Sequence, residues 1–168
     1  MKRGSWWRRE LYCANYKIII PAVIFHFVFG AVSAICGGNA SLYHYLVLPH
    51  FAPSAFVWVL IWSLIYLLLG CALGVYLSTY RYGRLRRCLG TWCLYGLFLV
   101  FLFWWYPVFF GAKLFSFALV VIACLISATL FVFQHFMKRS RLAAFLLIPC
   151  IAFYLFCFFL NFCILLLN

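Results

Sequence analysis

Apolar positions follow one another in five long runs, at about 18–36, 53–80, 90–110, 114–137 and 142–167, and polar residues gather in the short segments between them. Each run reaches the roughly 18 residues that a helix needs to cross a ~30 Å hydrocarbon layer. A water-soluble bundle would need a polar outer face on every helix, and these runs hold too few polar residues to supply one. The pattern therefore predicts an all-α fold: an integral membrane bundle of five transmembrane helices forming a single domain over 18–168. Gly37, Gly38 and Asn39 end the first run with residues that tolerate left-handed backbone. Pro53 suits the first turn of the second helix, and Pro107 interrupts the third near its end. The second run is longer than the hydrocarbon layer, so tilt or an interfacial end is expected there.

Charge sets the orientation. Lys2, Arg3, Arg8, Arg9 and Lys17 precede the first run, Arg81, Arg84, Arg86 and Arg87 follow the second, and Lys138, Arg139 and Arg141 follow the fourth. Lys113 stands alone on the opposite side. By the positive-inside rule the N-terminus is cytoplasmic, the C-terminus is outside, and the loop of about 37–52, which has no charged residue, is outside as well. Trp6, Trp7, Tyr12 and Tyr16 among the first cations mark residues 1–17 as a basic, aromatic interfacial segment. A net charge of +12 could suggest nucleic-acid binding, but cations confined to the ends of apolar runs argue against it.

Composition removes several kinds of chemistry. The chain is 70% hydrophobic and 8% charged, against about 45–50% and 25% for soluble domains. Glu10 is its single carboxylate side chain, which excludes paired-carboxylate hydrolysis, carboxylate metal sites and intramembrane acid relays. Nine cysteines contain no C-x-x-C pair, and most lie in apolar runs, where Cys acts as a small hydrophobe. The four histidines, His26, His44, His50 and His135, have no metal-site spacing.

What remains is aromatic. Trp58, Trp62 and Tyr66 recur at spacings of four and share a helix face. Trp105 lies well inside the third run. In the fifth run Cys150, Cys157, Asn161 and Asn168 form a weakly polar stripe. A buried Asn161 must face the bundle interior, either as a hydrogen-bonding link between helices or as a ligand contact. Gly70 and Gly74 form a G-x-x-x-G that permits close helix approach, within the bundle or in a dimer.

Three stretches, Pro49 to Gly70 (PHFAPSAFVWVLIWSLIYLLLG), Leu94 to Lys113 (LYGLFLVFLFWWYPVFFGAK) and Pro149 to Asn168 (PCIAFYLFCFFLNFCILLLN), resemble the translocator protein family, also called tryptophan-rich sensory proteins. The resemblance covers about residues 18–168. It implies a five-helix membrane protein, often dimeric, that binds porphyrins or similar flat hydrophobic molecules in a pocket closed by the first loop. By position, Pro53, Trp62, Trp105 and Asn161 match the family's loop proline, helix-two Trp, helix-three Trp and helix-five Asn. Phe51, Leu102, Val121, Cys150 and Phe153 replace a Trp, an Asn, an acid, a Tyr and a Trp, which implies a drier pocket.

The expected ligand-binding set is therefore Tyr43, Phe51, Pro53, Trp62, Tyr66, Trp105, Phe117, Cys150, Phe153 and Asn161, with residues 40–52 as lid. No catalytic or metal-binding residue is assigned; no cofactor is required, and a porphyrin can be the bound molecule. The expected partners are the bilayer, the ligand and a second copy in a homodimer. The expected location is a bacterial cytoplasmic membrane. Two alternatives stand beside the binding protein: a membrane enzyme that degrades porphyrin in light, for which the loss of a Trp at Phe153 is unfavourable, and a small transporter or structural protein without a stable ligand.

Overall fold

In this computed structural model residues 14–38, 40–79 and 89–168 are described. The interfacial segment before residue 14, Asn39 and the arginine link 81–87 lie outside them.

Helix α1 spans Tyr16–Gly37. Asn15 caps it, its side-chain oxygen accepting from Lys17 N at 3.0 Å, and its own backbone N–H donates to Ser78 Oγ at 3.1 Å. At the other end Gly38 takes the left-handed conformation, φ 63°, as the glycine pair predicts. A 3-10 turn, Ala40–His44, begins the loop that leads to α2, Ala55–Ser78. Pro53 thus lies outside the helix and not in its first turn. Ser54 takes the cap position because its hydroxyl can accept from the backbone N–H of Val57, at 3.4 Å.

Helix α3, Leu89–Tyr106, continues through a π turn at Pro107–Gly111. Pro107 has no N–H to donate to the carbonyl of Phe103, one turn back. Ser33 of α1 donates to that carbonyl at 2.7 Å, so the defect in one helix is repaired by its neighbour. Helix α4 is Phe115–Met137. The fifth run divides into α5, Arg141–Phe145, and α6, Ile148–Leu167. The break precedes Pro149, which has no N–H to bond back to Phe145.

Contacts close the helices into a ring: α1 packs on α2 and α3, α3 on α4, α4 on α6, and α2 on α5 and α6. Five spans are long and apolar enough to cross a membrane, with α5 and α6 together making the last. The outward surface is also apolar, with Ile24, Leu64, Val100, Phe131 and Leu155 exposed, a surface that lipid covers and water does not. The molecule is a multi-pass membrane protein.

The α1–α2 seam is closed at one end and open at the other. A Cβ on Gly70 would strike the Val23 backbone, and one on Gly74 would meet Ile19 Cα at 2.6 Å. The G-x-x-x-G is thus used inside the chain, bringing α2 directly against α1. Further along, Gly30 faces the ring of Tyr66, and the helices are held apart by side chains. Hydrogen bonds tie the rest. His26 Nδ1 donates to Ala22 O at 2.8 Å, which leaves Nε2 to accept from the Tyr95 hydroxyl at 2.7 Å. Thr91 pairs with His135 between α3 and α4 at 2.7 Å.

Gly70→Ala should destabilise the protein by about 1–3 kcal/mol, because the helices must move apart. Gly96, with nothing within 4 Å of an added Cβ, gives the control: Gly96→Ala should stabilise α3 by roughly 0.5–1 kcal/mol. Thermal unfolding in one detergent measures both; equal shifts would contradict the seam.

Candidate functional site

Three helices and the loop assemble a chamber of rings. Helix α2 presents Trp58, Trp62 and Tyr66 on successive turns of one face, as their spacing requires. Trp105 of α3 stacks on Trp62, centroids 5.4 Å apart and planes at 29°. Tyr66 continues the row 5.7 Å from Trp62. Phe153 of α6 stands behind, edge-on to Trp62 at 5.3 Å and 5.6 Å from Trp58. Offset and edge-on pairs of this kind are each worth about 0.5–1.5 kcal/mol beyond area burial, so the rings hold one another in place.

In front of this wall lies a cavity of about 370 Å³, near the lower end of the roughly 300–1,000 Å³ typical of small-molecule sites. Helix α1 leaves the space: Ala31 and Ala34 line it where larger side chains would fill it, with Phe27 and Gly30 beside them, Gly30 packed against the Tyr66 ring. Leu102, Tyr106 and Phe110 complete the α3 side. Ala31, Ala34 and Val59 are exposed on the outer surface of the bundle while lining the cavity. Its mouth therefore lies between α1 and α2 at the depth of the spans.

The loop covers the cavity through Tyr43, which stacks on Trp58 at 6.3 Å and 20° and donates its hydroxyl to Pro53 O at 2.6 Å. Burial pushes the Tyr43 phenol above its ordinary value, so it stays a donor through neutral pH. The loop is latched a second time by Asn168, whose amide exchanges two hydrogen bonds with the Val47 backbone, at 3.0 and 3.1 Å. Phe51 adds a third hold, stacking on Phe159 at 5.5 Å.

Of the expected set, Tyr43, Trp62, Tyr66 and Trp105 line the cavity. Phe153 forms the second row, and Pro53 supplies the carbonyl that Tyr43 grips. Phe51, 46% exposed, lies on the outside of α6, and Phe117, 56% exposed, faces away from the ring on α4. Neither lines the cavity: Phe117 is on α4, which does not border it, and Phe51 packs instead on Phe156 and Phe159 of α6. Cys150 is fully buried, its Sγ 3.7 Å from the Leu146 carbonyl in the break between α5 and α6. Asn161 is buried but makes no link between helices: both its amide atoms lack a partner among the described residues. The α1 contribution was not anticipated. Its signal was the cluster of small residues, Gly30, Ala31 and Ala34, in an otherwise bulky run.

The indole N–H groups of Trp58, Trp62 and Trp105 and the hydroxyl of Tyr154 also lack partners among the described residues. Unpaired donors are costly in an apolar interior. Their concentration around one cavity distinguishes this region from the satisfied contacts elsewhere in the bundle.

Among known protein families, the model of the TspO/MBR family matches residues 18–167. No curated protein matches the chain.

Tyr43→Phe keeps the stack on Trp58 and removes the bond to Pro53, a loss of about 0.5–1.5 kcal/mol from loop closure. Hydrogen exchange at the amides of Tyr45 and Val47 should quicken about threefold to tenfold while the helices are unchanged. The wild-type latch should hold constant to about pH 10, where a released phenol ionises first, and weaken above it. Exchange that does not respond to the substitution would remove the latch.

Proposed function

The chain belongs to the TspO/MBR family, and from that premise we propose that it is a membrane receptor-like protein that binds a flat hydrophobic molecule, of the porphyrin type or similar, in the tryptophan-lined cavity beneath the first loop. One observation carries this reading: two stacked indoles, Trp62 and Trp105, form a wall facing about 370 Å³ of space that α1 borders with the small side chains of Ala31 and Ala34. Such a wall favours a planar ring over a flexible chain.

The mouth between α1 and α2 suggests that the ligand comes from the bilayer. Passing from lipid to protein brings little hydrophobic gain, because both surroundings are apolar. Selectivity must then rest on stacking and shape. A tetrapyrrole would seat one edge against Trp62 and Trp105 and extend through the mouth. Among the described residues the cavity wall contains no Lys or Arg, so stacking and shape, not charge, carry the contact there.

Quenching of tryptophan fluorescence by protoporphyrin tests the proposal. Wild-type protein should show saturable quenching. An Ala31→Phe/Ala34→Phe variant, which fills the cavity from α1 without touching the aromatic wall, should bind at least about tenfold more weakly, a change of ~1.4 kcal/mol. Equal affinity in a variant with unchanged thermal midpoint would overturn this reading.

A further inference from the structure

Charge in this chain is unbalanced as well as confined. It has 13 Lys and Arg and a single acidic side chain, Glu10, for a net charge of +12, so that carboxylate can neutralise one cation at most. Among the described residues the Lys and Arg are Lys17, Lys113, Lys138, Arg139 and Arg141. Lys113 lies between α3 and α4 at one end of the bundle. The other four lie at the opposite end, where α1 begins and the link from α4 to α5 runs.

Those two segments meet on the end of α2. The Asn15 backbone N–H donates to Ser78 Oγ at 3.1 Å. Arg139 donates to the next residue, through Nε to Thr79 Oγ1 at 3.1 Å and through Nη2 to Thr79 O at 3.3 Å. A guanidinium at the end of a helix opposes the negative pole of its dipole, which gives Arg139 a place in the fold. Lys17, Lys138 and Arg141 are exposed, so the end of α2 is bordered by cations from α1 and from the α4–α5 link.

Two of these cations each head an apolar stripe. Lys17, Ile20 and Ile24 share a face of α1 by their spacing, and Ile20 and Ile24 are exposed. Arg141 and Phe145 are one turn apart on α5, and Phe145 and, past the break, Ile148 are exposed as well. A charged rim that runs directly into exposed hydrocarbon suits a partner with an anionic head and apolar chains. A soluble acidic protein would cover the rim and leave the stripes bare.

We propose that this rim binds anionic phospholipids, with their phosphates among Lys17, Lys138 and Arg141 and their acyl chains along the α1 and α5–α6 stripes. The positive-inside rule gives the side of the membrane that cations face; the counter-charge is a separate matter, and one carboxylate cannot meet it. None of these cations lines the cavity, so the lipid surface and the ligand site are independent.

Native mass spectrometry of the protein in uncharged detergent counts bound phosphatidylglycerol and phosphatidylcholine carrying the same acyl chains. Wild-type protein should favour phosphatidylglycerol at least about fivefold, the equivalent of one Lys or Arg near an anionic surface, and the preference should shrink as salt rises. Lys17→Gln/Lys138→Gln/Arg141→Gln should lower it at least about fivefold. Where that variant does not fold, a matched pair decides: Lys17→Gln should lower the preference about twofold to fivefold, and Lys113→Gln, at the other end, should leave it unchanged. Equal wild-type binding of the two lipids would overturn the proposal and leave the rim to an acidic protein. An undiminished preference in the triple variant, or the same fall in Lys113→Gln as in Lys17→Gln, would overturn it as well, by moving the lipid elsewhere or reducing the effect to net charge. Glycerol 3-phosphate in molar excess, a headgroup phosphate without chains, should not displace phosphatidylglycerol; displacement would make the rim a site for free phosphate and overturn the lipid assignment.

Discussion

A polar group buried in a bilayer has no water to bond to, and it must find its partner within the protein. Much of this bundle follows from that constraint. Pro107 leaves the Phe103 carbonyl free, and Ser33 from another helix bonds it. His26 bonds Ala22 on its own helix and Tyr95 across the interface. Thr91 and His135 pair across the next seam. Because lipid is as apolar as leucine, burial of hydrocarbon does little to hold helices together, and these bonds with close van der Waals packing carry the association.

Close packing also creates the space. Gly70 and Gly74 draw α2 onto Val23 and Ile19 at one end of the seam, while Tyr66 against Gly30 marks where side chains begin to separate the helices. Backbone meets backbone at the Gly70 and Gly74 end of this seam, a ring lies between the helices at Gly30, and the cavity lies at the Gly30 end. Aromatic residues wall the cavity, and small residues on α1 keep it from filling. The cavity thus lies beyond the Gly70 and Gly74 contact.

The unpaired indoles and Asn161 stand against this background. Among the described residues the buried His, Ser and Thr side chains are bonded, even at a proline defect, while three indole donors beside the cavity are not, and such departures from internal consistency are expected at functional places.

The sequence by itself determined the number of spans, their approximate limits and their membrane setting, because length and unbroken hydrophobicity follow from the thickness of the bilayer. It also determined that Trp58, Trp62 and Tyr66 share a face, because helical periodicity is local. The two-part last span at Pro149 and the cap at Ser54 were present in the residues but lay below the resolution of a hydropathy pattern. Only the tertiary structure decided which helices are neighbours. That order puts α1 in the cavity wall, turns Phe117 outward, seats Phe51 on the outside of α6 and leaves the Asn161 side chain without a partner among the described residues. Runs that are apolar on every side carry no label for the face that meets a partner, so the site depended on three-dimensional packing that spacing along the chain does not encode.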